Sequence, residues 1–169
     1  MQRYIGTKLI NAIPMTRLEY NNFRGWLLPE DEEATDDGYL VEYLDGGKPN
    51  TDEYDGYVSW SPKEQFDNAY RRVTECSFGL AVEAMKNGMK AARTGWNGKG
   101  MFCIYVPGTK EAKLREGTPY ALALPNMETI DILPHFDMYT VNAQGRRAML
   151  PGWLALQSDI DADDWIIYK

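Results

Sequence analysis

Residues 93–107, R-T-G-W-N-G-K-G-M-F-C-I-Y-V-P, constrain this chain more than any other stretch. The first half sets glycines at 95, 98 and 100 around one Trp, one Asn and one Lys. The second half, residues 101–106, is the strongest strand signal in the chain, because Phe, Ile, Tyr and Val suit a pleated, half-buried surface. Glycine lets a backbone turn tightly or lie close to a ligand. Trp96 has little side-chain mass beside it in sequence. It must therefore be covered at long range, at a subunit contact, or by a flat ligand. A binding loop and a structural loop both satisfy these residues.

The rest of the chain alternates short strand and helix signals. Strands are predicted over 4–12, 39–44, 57–60, 101–106, 130–140 and 165–168, with an extended link at 90–93 and an edge strand at 120–124. Within 130–140, period-two alternation puts His135, Asp137 and Tyr139 on one face and Phe136 and Met138 on the other. Thr16 with Glu19 three residues on marks a capping box for a short helix over 17–23, which Gly25 ends. Two larger helices are expected. One starts at Ser61-Pro62, with Glu64 closing a box, Phe66, Ala69, Tyr70 and Val73 on its apolar face, and Arg71 and Arg72 in its last turn. The other starts at the Ser77 cap, carries Phe78, Ala81, Val82 and Met85, and stops at Gly88. The fold class is α+β: an antiparallel sheet core, two main helices and a short C-terminal sheet. A composition shift near residue 74 divides the chain into an N-terminal α+β module, 1–74, and a second domain, 75–169.

Charge narrows the partners. The chain of 169 residues carries net charge −7. Residues 30–55 hold eleven acids against one base, Lys48, which leaves the remainder net positive. Overall acidity argues against nonspecific binding of DNA or RNA, although a basic pocket for a small anion is still open. No apolar run approaches the roughly 20 residues of a membrane helix, and residues 1–10 lack a signal-peptide core. The two cysteines, Cys76 and Cys103, have no C-x-x-C spacing and are expected to stay reduced in a cytoplasm. With one histidine they make a poor zinc set.

No catalytic residue or cofactor is called for. His135 and Asp137 share a strand face, but nothing in sequence brings Ser77 or Ser158 to them as a triad. Asp159, Asp161, Asp163 and Asp164 lack the glycine and terminal glutamate of a calcium loop, so turn capping and solvation explain them better. The glycines at 95, 98 and 100 match neither dinucleotide nor phosphate-loop spacing. The kit suits a nucleotide-like ligand all the same. Trp96 could stack on a base, and Asn97 could meet a base edge or ribose hydroxyl. Arg93 and Lys99 could meet phosphates, and Asp137 could accept from ribose hydroxyls.

Four blocks carry a resemblance. They are the A-R-T-G-W-N-G-K-G-M-F string at 92–102, preceded by F-G-L-A-V-E-A-M-K-N-G at 78–88; P-H-F-D-M at 134–138; G-W-L-A-L-Q-S-D at 152–159; and A-D-D-W at 162–165. In this order they resemble the second family of Thoeris anti-defence proteins over residues 77–168. Leu-Gln-Ser at 156–158 stands where threonine often follows the glutamine. The resemblance implies a phage sponge that sequesters a cyclic ADP-ribose-type signal without cleaving it, and in some members cyclic dinucleotides at a separate site. It also implies a homotetramer with pockets built across subunits, in the cytoplasm of the infected bacterium. Trp96, Asn97, Arg93, Lys99, Asp137 and Met138 then become the ligand-binding residues, with Trp153, Asp159 and Trp165 architectural. P-M-T-R-L-E-Y-N at 14–21, the string G-Y-L-V-E-Y-L-D-G-G-K-P-N at 38–50 and G-Y-V-S-W-S-P at 56–62 resemble an accessory phage module of unassigned role. An enzyme that hydrolyses the signal and a protein-binding phage factor are the alternatives.

Overall fold

A computed structural model describes residues 1–97 and 100–169. The chain divides into two compact units, Met1–Arg71 and Arg72–Lys169.

The first unit is a three-stranded antiparallel sheet with two helices. β1 (Ile10–Pro14) pairs with β2 (Gly38–Tyr43), which pairs with β3 (Tyr57–Pro62). Helix α1 (Arg17–Arg24) has the expected box: the Glu19 amide donates to Thr16 Oγ1 at 3.3 Å and the Thr16 amide to Glu19 Oε2 at 2.7 Å. Gly25 closes it in the left-handed region at φ 67°. Tyr20, Leu40 and Val58 form the core, with Phe23, Tyr54 and Trp60 packed on it. The acidic loop and β2 meet at Gly38, where an added Cβ would lie 2.5 Å from the Ser61 carbonyl oxygen. Helix α2 (Lys63–Ala69) lies on β2 through Phe66, which stacks on Tyr39 at 4.0 Å.

Two expectations fail here. No side chain caps α2, because β3 continues through Pro62 in register with Gly38, and sheet pairing takes the residues that would have formed the box. The helix is also shorter than predicted. Tyr70 is already extended, so Arg71 and Arg72 lie beyond it.

The second unit is a five-stranded antiparallel sheet with one helix laid on it. Helix α3 (Phe78–Lys86) begins after Ser77 and is followed by β4 (Lys90–Arg93) and β5 (Phe102–Val106). A side ribbon follows, made of β6 (Thr109–Lys113), the short helix α4 (Pro119–Ala123) and β7 (Thr129–Ile132). The chain then returns as β8 (His135–Val141) and β9 (Arg147–Leu150), makes the turn α5 (Gln157–Ile160), and ends in β10 (Trp165–Tyr168). Sheet order is β10-β4-β5-β8-β9.

Ile167, Ala91, Cys103 and Met138 stand in register across four strands on one face, which Trp165 shares by alternation with Ile167, and Ala81 and Met85 of α3 belong to the same core cluster. Small residues at 81 and 91, both fully buried, let helix and sheet approach closely. On the opposite face Phe102 stacks on Tyr139 at 4.6 Å, and Lys90 lies over Phe102 and Tyr168.

The architecture is mixed α+β with antiparallel sheets, as read, but it has five helices among the described residues rather than two main ones. The last strand does not form a sheet of its own. It hydrogen-bonds β4 and completes the edge of the five-stranded sheet. Residues 120–124, expected as an edge strand, lie mostly in α4, where Pro119 takes the first helical position.

Candidate functional site

The site forms where the backbone leaves the sheet after β4. Arg93 is the last residue of β4 and faces Trp165, the first of β10. This register brings the residue before Trp165, Asp164, beside the start of the glycine-rich loop. Asp164 Oδ1 accepts from Arg93 Nε at 2.7 Å. Asp164 Oδ2 accepts from Thr94 Oγ1 at 2.9 Å and from the Gly95 amide at 2.8 Å. The Thr94 amide donates to the Asp164 carbonyl at 3.2 Å. Space at Gly95 is tight: a Cβ would lie 3.1 Å from Asp164 Oδ2.

A second carboxylate holds the tryptophan. Asp159, only 5% exposed, accepts at Oδ1 from Trp96 Nε1 at 3.1 Å and from Arg93 Nη1 at 2.9 Å. Its Oδ2 accepts from the Leu156 amide at 3.0 Å, and its carbonyl accepts from Trp165 Nε1 at 3.0 Å. Arg93 Nη1 also donates to the Ser158 carbonyl. Three tryptophans converge on this corner. Trp96 meets Trp165 edge-on at 5.4 Å and Trp153 at 6.0 Å, and Trp153 meets Trp165 at 6.2 Å. Edge-to-face contacts of this kind add to plain burial. Trp96 remains half-buried and Asn97 exposed.

The electrostatics follow from these bonds. The Arg93 guanidinium, with help from Thr94 and the Gly95 amide, lowers the Asp164 carboxyl to about 2. Burial works to raise the Asp159 carboxyl, but hydrogen bonds from Trp96, Leu156 and Arg93 outweigh it and leave the group lowered. Arg93 is raised in turn, chiefly by its bonds to Asp164 and Asp159.

The six residues singled out from sequence do not all meet. Trp96 and Asn97 share the loop, Trp96 half-covered and Asn97 open. Arg93 lies at its foot, but three of its N–H groups go to Asp164, Asp159 and Ser158, so its charge is already met within the chain. Met138 is 9% exposed and packs in the core cluster, away from the loop's open side chain Asn97. Asp137 lies on the opposite sheet face, as its alternation predicts. It accepts from the Gly152 amide at 3.1 Å and faces His135 Nε2 at 3.3 Å. Gly152 precedes Trp153, whose amide bonds the Phe136 carbonyl at 2.7 Å, so Asp137 steadies the segment carrying a tryptophan of the cluster. Lys99 lies outside the described residues.

Among the described residues His135 Nδ1 bonds the Leu133 carbonyl and Nε2 lies 3.3 Å from Asp137 Oδ1, and neither Ser77 nor Ser158 offers it a hydroxyl. No group of three or more His, Cys, Asp or Glu side chains among the described residues is placed to hold a metal ion.

Residues 76–168, more than half of the chain, match the model of the Tad2-like family, the Thoeris anti-defense 2-like domain. The chain belongs to this family. Thoeris anti-defense 2 of Bacillus phage SP01 is 59% identical to it over 94 residues, 56% of this chain and 96% of the phage protein. The matched span contains the whole clamped corner, from Arg93 to Trp165, while residues 1–75 lie outside it. Within the Tad2-like domain, Asp159 and Asp164 are what sequence reasoning undervalued. They read as caps and solvated turn residues, yet each ties together groups more than sixty positions away. The one available signal was the place of Asp164 immediately before the strand that pairs with β4.

Proposed function

We propose that this protein is a phage anti-defence factor that captures a cyclic ADP-ribose-type signalling nucleotide in the cytoplasm of the infected host and releases it chemically intact. The observation that carries the reading is family membership across the span that holds Trp96 and Asn97. The site supports it. A half-buried indole and an exposed amide side by side offer a flat ring and a two-way hydrogen-bonding group, which is what a base and its ribose require. Among the described residues the corner holds no base–nucleophile pair, and capture needs none.

In this reading Trp96, Asn97 and Lys99 contact the signal. Arg93 anchors the loop from below, and Asp137 acts through the 152–153 segment. A homotetramer with shared pockets is part of the proposal. Leu154 and Leu156, 83% and 68% exposed next to Trp153, supply apolar surface for a subunit seam. Cyclic dinucleotides are a second ligand class for the same assembly. Residues 1–74 serve as an accessory module to the capturing domain, 75–169.

The test is to mix the purified protein with cyclic ADP-ribose, remove free ligand, denature by heat and identify what is released. Intact nucleotide is expected. An altered nucleotide would mean an enzyme, and no nucleotide would point to a protein-binding factor. Trp96→Ala should abolish capture while sedimentation shows the same assembly mass as the parent.

A further inference from the structure

We propose that Asp164, seconded by Asp159, is a positioning residue that sets how Trp96 and Asn97 face a bound molecule. The proposal rests on the reading of this loop as a capture surface. Three consecutive residues, Arg93, Thr94 and Gly95, are each hydrogen-bonded to Asp164, through a guanidinium, a hydroxyl and a backbone amide. A fourth bond, from the Thr94 amide to the Asp164 carbonyl, fixes the same stretch. The loop therefore leaves the sheet along one path. The next residue, Trp96, is held at its ring nitrogen by Asp159, which is itself buried and tied to Leu156 and Arg93. Backbone and ring are thus fixed by separate carboxylates, both on the segment that closes the domain.

Charge points the same way. Two carboxylates face one guanidinium, so this end of the loop carries an excess of negative charge. A phosphate arriving at Arg93 would have to displace Asp164 or Asp159 and would meet their repulsion. Arg93 is accordingly an anchor for the clamp and not a phosphate ligand. The clamped end recognises the neutral ring and hydroxyl part of a nucleotide, and phosphates are met elsewhere.

The experiment uses the full chain with cyclic ADP-ribose as probe and two readouts. One is affinity by calorimetry. The other is the indole N–H resonance of Trp96, identified by its absence in Trp96→Phe. Asp164→Asn removes a charged acceptor from three donors and should lower affinity by about tenfold or more. It should also move the Trp96 resonance while the other indoles stay in place. Asp159→Asn should move the same resonance further. Arg93→Lys separates anchor from ligand: a lysine keeps the charge but lacks the planar fork that meets Asp164, Asp159 and the Ser158 carbonyl together. Its affinity should therefore fall in step with Asp164→Asn, whereas retained affinity would return Arg93 to the phosphate and overturn the proposal. Unchanged affinity in Asp164→Asn with a shifted resonance also overturns it, and an unshifted resonance removes the clamp itself. If the parent protein takes up no cyclic ADP-ribose, the capture reading fails, and the indole resonances still decide whether the carboxylates orient the ring.

Discussion

Asp164 and Cys103 occupy opposite ends of the acid–base scale within one small unit. The Asp164 carboxyl is lowered from the ordinary 3.8 to about 2 by Arg93 and its other donors. A lowered carboxyl contributes stability that is complete above its unfolded value and is lost as pH falls through the folded one. The loop clamp should therefore hold unchanged from neutral pH to about 4, then loosen as pH approaches about 2. Tryptophan fluorescence followed through an acid titration should show this step, and Asp164→Asn should lack it. Cys103 is pushed up to about 12 by burial in the sheet core. The thiolate is the reactive form. Iodoacetamide at pH 8 should therefore leave Cys103 unmodified in the folded protein and label it after unfolding, as mass spectrometry of the digested chain would show. Arg93 has partners that a local reading of the sequence leaves out. An arginine beside a glycine-rich loop suggests a phosphate ligand, but its two carboxylate partners lie 66 and 71 positions away. No local pattern reveals a partner at that distance.

Elements were legible where their determinants are local. The α1 box needs only Thr16 and Glu19, and both of its reciprocal bonds form. Thr16→Ala should cost about 1 kcal/mol, measurable as a lower denaturant midpoint with an unchanged slope. The alternation of β8 likewise sets Met138 and Asp137 on opposite faces. Ser61-Pro62 shows the limit of such signals. A helix does begin at Lys63, yet β3 pairs with β2 through Pro62 and the expected capping box is not formed. The apolar run at 120–124 was too short to tell strand from helix by period. β9 was missed because four residues between the turn and Pro151 carry almost no pattern of their own. It is defined only by its pairing with β8.

At the scale of the molecule, the Tad2-like domain and the N-terminal unit are separate compact bodies. The C-terminal unit alone corresponds to nearly the full length of the Bacillus phage SP01 relative. Residues 72–169 expressed alone should therefore fold cooperatively, with calorimetric and van't Hoff enthalpies in agreement, and should still capture cyclic ADP-ribose. Loss of cooperativity in the fragment would make the first unit part of its core. The concentration of eleven acids in residues 30–55 is visible in the sequence. The clamp was not visible, because it exists only once β10 lies against β4.

The ribbon of β6 and β7 departs from the sheet after β5 and rejoins it at β8, and those two strands are already direct neighbours. Its stem is narrow: a Cβ on Gly108 would lie 2.4 Å from the Ile132 carbonyl oxygen and 2.9 Å from the Pro134 nitrogen. Whatever is strung between those two points adds little closure entropy and leaves the pairing of β5 with β8 untouched. Evolution can thus lengthen, trim or exchange this appendage as a cassette, trying new shapes beyond the stem while the scaffold beneath keeps its register.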